Sequence, residues 1–188
     1  MGRRITSTDA PEWEVLFLNF THSAFRLETL QHYSEPVEAE DFAQFLAGEY
    51  HADGDLSWWG DKTRKHAAAG HHMSRVRIVI EPLTNYTRFE IIDFPRMVDA
   101  GDDIRIIAMS EGEWPDGLPH EDYWLIDEHD IWLMVYDDQG ALRYAELQDH
   151  DEDLLARHLQ WRDDAWAQAI PVGEYLAKIG PEAVEPIR

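Results

Sequence analysis

Residues 123–147 read YWLIDEHDIWLMVYDDQGALRYAEL. Three apolar runs, Tyr123 to Ile126, Ile131 to Tyr136 and Leu142 to Leu147, sit between polar junctions. Each is short and rich in β-branched and aromatic residues, which predicts strands. Between the last two stands Asp137-Asp138-Gln139-Gly140. Gly and Asp tolerate the positive φ of a tight turn, so this is hairpin chemistry. The run Ile131 to Tyr136 is apolar at every position, which predicts a central strand covered on both sides. A sheet is therefore the backbone of the fold, and the rest of the chain has to cover it.

Downstream, residues 151–170 place Leu154, Leu155, His158, Leu159, Trp161, Trp166 and Ile170 on one broad helical face, with Asp151 able to cap. Pro171 interrupts that helix, and a short helix to Ile179 follows. Upstream, Ile104 to Met109 and Val76 to Ile80 are apolar enough for strands, and Ala24 to Leu30 alternates at strand spacing. That alternation puts Arg26 and Glu28 together on the face opposite Phe25 and Leu27. Helices are expected from Asp9-Ala10-Pro11-Glu12, with Asp9 as cap, over Val37 to Leu46, which Gly48 ends, and over Ser57 to Ala69. A polar loop carrying Gly54 separates the last two, and His71-His72-Met73 is expected to be a loop. Residues 82–100 have helical spacing, and Pro95 is expected to break or kink them. The expected fold class is α/β or α+β: one domain over residues 1–188, a mixed β-sheet with helices packed on its faces, ending in a β-hairpin and a long amphipathic helix. Flexible ends are expected at 1–9 and 180–188.

The chain has 16 Lys and Arg against 38 Asp and Glu, a net charge of −22. Such a charge repels phosphate backbones and anionic lipid, so no direct nucleic-acid binding and no membrane association is expected. The absence of cysteine excludes disulfides, thiolate nucleophiles and Cys-ligated zinc. No apolar run follows the N-terminal arginines, and none reaches the length of a membrane span, so a cytoplasmic protein is expected.

His22-Ser23 is not a self-contained catalytic dyad, because neighbouring residues on an extended chain point to opposite faces. No Gly-x-Ser-x-Gly elbow occurs in the chain. The ten histidines contain no His-Glu-x-x-His, and His150 within Asp149-His150-Asp151-Glu152-Asp153 lacks the spacing of a calcium loop. No metal, no cofactor and no catalytic residue are therefore assigned. The charge is polarised: Lys62 to Ile80 carries five bases, three histidines and no acid, while Ser110 to Asp153 carries fifteen acids and one base. Arg64, His66, Arg75 and Arg77 are the candidate anion-binding residues of the basic island; internal pairing with the surplus acid is the competing reading. Eight tryptophans, with Trp58-Trp59 and Trp114-Pro115 among them, predict some exposed aromatic surface, while Trp132, Trp161 and Trp166 are expected in the core.

Residues 20–33 (FTHSAFRLETLQHY), 42–48 (FAQFLAG), 76–90 (VRIVIEPLTNYTRFE), 100–105 (AGDDIR) and 122–127 (DYWLID), taken in this order, resemble an uncharacterised actinobacterial family, the domain of unknown function DUF6879. The resemblance marks His22, Arg26, Glu28, Tyr86, Arg88, Arg105 and Asp127 as signature residues. It implies a regulatory or protein-binding role without established catalysis, with a helix-turn-helix DNA-binding regulator as partner, and supplies no catalytic residues; a non-enzymatic domain is the expectation. A looser likeness is architectural: a strand with Arg (Val76-Arg77-Ile78), a Gly-then-strand unit at Gly101, an Asp-ended strand (residues 124–127) and a Trp-rich helix resemble a non-catalytic half of the phospholipase D superfamily. That chemistry needs His-x-Lys, and none of the ten histidines has Lys two residues on. A phosphate-ester or nucleotide-binding protein or enzyme, centred on Lys62 to Arg77, is the alternative expectation.

Overall fold

The computed structural model describes residues 2–8, 10–52 and 58–187. Among them eight strands form one mixed sheet: β1 (Arg4–Ile5), β2 (Ser23–Glu28), β3 (His72–Glu81), β4 (Asp102–Ser110), β5 (Asp122–Ile126), β6 (Asp130–Tyr136), β7 (Leu142–Leu147) and β8 (Ile170–Pro171). Their order across the sheet is β1-β7-β6-β5-β2-β3-β4-β8. β2, β3 and β4 run parallel, which requires covering segments between them, and helices supply these. β5, β6 and β7 are joined by turns and pair antiparallel, with β5 laid against β2.

Register sorts the side chains. Arg26 stands beside Arg75 and Glu28 beside Arg77, Met73 beside Asp102 and Arg26 beside Trp124. Paired residues share a face, so these charged side chains all lie on one side of the sheet. That side is covered by α1 (Pro11–Leu18), α2 (Ala39–Ala47), α3 (Trp58–Ala68), α4 (Asn85–Asp99) and α6 (Val172–Ile179). The opposite side, with Phe25, Leu27, Val76, Ile78, Ile107, Tyr123, Leu125 and Ile131, packs against one long helix, α5 (Glu152–Gln168).

The mixed sheet with helices on its faces is thus the architecture expected from residues 123–147. Several details differ. The strand buried at every position is β5; β6 lies one place outward, and its Leu133 and Val135 are half-buried. Residues 72 and 73 are the start of β3 rather than a loop, with His72 N donating to His22 O at 2.8 Å. Pro95 neither breaks nor ends α4: Thr84 caps the helix by accepting from Thr87 N at 3.1 Å, and Ile91 and Phe94 anchor it in the core. Pro95 itself is exposed, so its ring faces solvent rather than the packed side of the helix. The short helix expected after Pro171 is α6, which ends at Ile179 and is followed by a 3-10 turn at Pro181–Val184; the two-residue β8 before it was not expected. Asp9, Ser57 and Gly54 lie outside the described residues, as does the Trp58 side chain. Among the described residues, no helix is long and apolar enough to cross a membrane.

A buried ion network as candidate functional site

Three arginines and four carboxylates meet under the α2–α4 side of the sheet. Arg77, from the middle of β3, is 0 % exposed. Its Nη2 and Nε donate to Glu90 Oε2 at 2.7 and 3.1 Å, and its guanidinium lies 5.1 Å from the Tyr33 ring centroid. Arg75 makes the same kind of forked contact with Asp102 Oδ2, at 2.8 and 3.0 Å. Arg26 Nε lies 2.9 Å from Glu28 Oε1, while Nη2 donates to Tyr136 Oη at 3.0 Å. Asp122 closes the far end by accepting from Thr29 N at 2.8 Å and from the hydroxyls of Thr29 and Tyr33. Glu28 is the hub, but its Oε2 has no hydrogen-bond partner. Its contacts to the arginines are coulombic rather than directed.

Burial disfavours every charge here, and neighbours decide which survive. Burial raises Glu28, but Arg26, Arg75 and Arg77 outweigh it, so this carboxyl titrates below its usual range. Asp102 and Asp122 are pushed up by burial against the pull of Arg75 and Arg26 respectively. Glu90 gives way furthest: burial, with Glu28 and Glu38 nearby, moves it up to about 7 despite Arg77. Arg77 stays charged.

A pH prediction follows from Glu90. Its folded value lies above the ordinary 4.5, so the native state takes up a proton that the unfolded chain does not, and stability grows as pH falls through 7. Between pH 8.5 and 6.5 the gain is expected to be on the order of 1 kcal/mol, or about 2–4 °C in melting point. Below 6.5 it is opposed by His66 and His158, whose values burial lowers. Glu90→Gln should flatten the rise in thermal melts; a rise of equal size in the variant would assign it to other groups.

The remaining sequence candidates scatter. Arg64 projects outward from α3 and pairs with Asp61 at 2.6 Å. His66 turns inward elsewhere: it stacks on Phe20 at 3.7 Å, donates Nε2–H to Phe17 O at 2.6 Å and accepts at Nδ1 from His71 Nδ1 at 2.9 Å. Of the four basic-island candidates, only Arg75 and Arg77 come together, and their partners are internal acids. Tyr86 donates to Glu38 at 2.8 Å beside the network. Arg88 instead ties down the C-terminal segment through the carbonyls of Leu83, Ala183 and Glu185. Arg105 lies on the opposite face, 4.0 Å over the Trp166 ring.

His22 and Asp127 meet at the N-terminal end of β2. Asp127 accepts from the backbone N–H groups of Thr21, His22 and Ser23 at 2.9, 2.7 and 3.0 Å. Burial works against this charge, but the donors outweigh it and hold the carboxyl below its usual value. His22 therefore contributes its backbone to this clamp.

Sequence reasoning missed Glu90, Asp102, Asp122 and Tyr33. The signal available was an acid embedded in apolar sequence, as in Phe89-Glu90-Ile91 and Asp122-Tyr123-Trp124. A groove of about 290 Å³, lined by Thr29, His120, Asp122 and Tyr136 among others, opens beside the network. A second, of about 640 Å³, runs between α2 and the C-terminal segment, at Phe45, Tyr50 and Pro186. Neither brings Arg75, Arg77 and His66 to one wall. Trp59 packs on Phe17 and Trp124 in the core, whereas Trp114 is half-buried, stacked on His120 at 4.0 Å.

Fold and network together define an α/β domain organised round an internally neutralised cluster of arginines and acids. The chain belongs to the family described as Domain of unknown function (DUF6879), whose model matches residues 11–177. No curated protein matches it.

Proposed function

We propose that this chain is a non-enzymatic, cytosolic protein-binding domain that docks a basic partner, in the first place a helix-turn-helix DNA-binding regulator. The observation that carries the reading is where the cations are. Arg77 is buried, Arg26 and Arg75 are each 13 % exposed at the side chain, and all three are engaged by Glu28, Glu90, Asp102 and Asp122. All but one of the 22 net negative charges therefore belong to the rest of the chain. The phosphate-ester reading has less support, because it needs Arg64, His66, Arg75 and Arg77 along one surface.

The docking face is the outer side of α5 with the loop before β5. Gln168 Nε2 donates to Asp116 O at 3.1 Å, which joins helix and loop. Glu111, Glu113, Asp116, Glu121 and Asp163 are exposed there, around half-buried Trp114, Trp161 and Trp166. Aromatic anchors within an acidic rim suit a basic protein surface, and charge complementarity would mainly speed and select its approach. The accompanying fold reading, a non-catalytic phospholipase D-like half, is supported by the alternation of helices with β2, β3 and β4 before the antiparallel strands.

The test is titration of the purified regulator with this protein at 50 and 150 mM salt, followed by fluorescence. Binding should weaken with salt, and Glu113→Lys with Asp163→Lys should weaken it at least tenfold. No association at either salt concentration would remove the proposal.

A further inference from the structure

The turn between β5 and β6 is built on two non-glycine residues with positive φ, Asp127 at 52° and Glu128 at 56°. It closes with His129 N donating to Ile126 O at 3.0 Å. Both turn residues are engaged: Asp127 clamps Thr21 to Ser23, and Glu128 is paired with Arg162 of α5. The residues that follow are thus held from two sides. Across from them, Gln148 N donates to Ile131 O at 2.9 Å, keeping the chain beside β6 as it leaves β7. Asp151 then caps α5 by accepting from Leu154 N at 2.8 Å. Between these fixed points His150 lies against His129, with ring centroids 4.4 Å apart and the rings tilted by 43°. Asp130 Oδ1 lies 2.8 Å from His129 Nδ1.

We propose that His129, Asp130 and His150 form a binding site for a divalent transition-metal cation of the zinc type. One donor atom from each of the three lies within 4.8 Å of the other two. Bonds of about 2.0–2.2 Å at a tetrahedral angle would place such atoms about 3.4 Å apart. The two histidines are exposed and Asp130 half-buried, so small side-chain rotations close the set. Two imidazoles and a carboxylate select zinc, copper or nickel over calcium and magnesium, which prefer all-oxygen shells. At least one coordination position faces solvent. The acids at 127, 128, 149 and 151 add a field favourable to any cation. Sequence spacing assigned no metal because His129 and His150 are far apart in the chain; the β6–β7 hairpin and the approach to α5 bring them together. The bound ion would clip the β5–β6 turn to the start of α5, independently of the docking reading.

The probes are Zn²⁺ and Co²⁺ added to the full chain. Calorimetry should show one equivalent of Zn²⁺ bound at micromolar affinity, and Co²⁺ should develop the visible bands of a low-coordinate site. His150→Ala and Asp130→Asn should each weaken Zn²⁺ binding at least tenfold, while keeping the metal-free melting point of the wild type. His22→Ala should bind as the wild type does. A melting-point rise with Zn²⁺ that disappears in His150→Ala would complete the case. Absence of saturable binding below millimolar Zn²⁺, or binding undiminished in His150→Ala and Asp130→Asn, overturns it.

Discussion

Arg77→Ala is expected to destabilise the protein by about 3–5 kcal/mol, because it leaves Glu90 buried opposite nothing. The Arg77 side chain is 0 % and the Glu90 side chain 11 % exposed, so water offers neither much relief. For a chain of this size the loss corresponds to roughly 10 °C or more in melting point. It should be smaller at pH 5.5 than at pH 8, since Glu90 escapes part of the penalty by taking a proton. Arg77→Met combined with Glu90→Leu should recover most of the stability, because an apolar pair of similar volume carries no desolvation cost. Urea denaturation of the single and double variants measures both effects. A loss below about 1 kcal/mol for Arg77→Ala would mean that the pair carries little of the stability assigned to it.

Asp127→Ala is expected to cost about 2–3 kcal/mol. The carboxylate accepts from three consecutive backbone N–H groups and from Thr21 Oγ1 at 3.1 Å. Hydrogen bonds to a charged acceptor are worth about 1.5–3 kcal/mol in favourable cases. Asp127 is half-buried, so water replaces part of what is lost and keeps the cost low. Alanine also tolerates φ near 52° poorly, whereas asparagine adopts it readily. Asp127→Asn should therefore cost about half as much. Amide exchange at Thr21, His22 and Ser23 separates this account from general loosening: protection there should fall in Asp127→Ala more than in the middle of β3. Equal losses in the alanine and asparagine variants would show that charge alone, and not backbone conformation, is at work.

How much of this was legible in the sequence depends on the range of the interaction concerned. The β5–β7 block follows from short β-branched and aromatic runs split by turn residues, and the shared face of Arg26 and Glu28 from a period of two, both of which are visible within single strands. Helix α5 and its Asp151 cap follow from local spacing in the same way. The basic island was read along the chain, but strand alternation turns Arg75 and Arg77 inward while Arg64 stays on an exposed helical face. Their partners are not local. Arg77 and Glu90 are separated by 13 residues, Arg75 and Asp102 by 27, and Tyr33 and Asp122 by 89. Only the parallel crossovers and the return of β5 onto β2 bring them together. Pro95 shows the converse: of the break or kink expected there, the break does not occur, and α4 runs on past it to Asp99 with Ile91 and Phe94 in the core.

The rims of the sheet carry a consequence for how copies of this molecule meet. Each outermost strand is two residues long, Arg4–Ile5 at one side and Ile170–Pro171 at the other. Arg4 is held by Glu146 and lies over the Tyr144 ring, which puts a charge on one rim; Pro171 has no N–H to offer at the other. A stray β-segment finds no extended row of donors and acceptors at either terminal strand. In the folded molecule this arrangement works against edge-to-edge pairing at the two terminal strands.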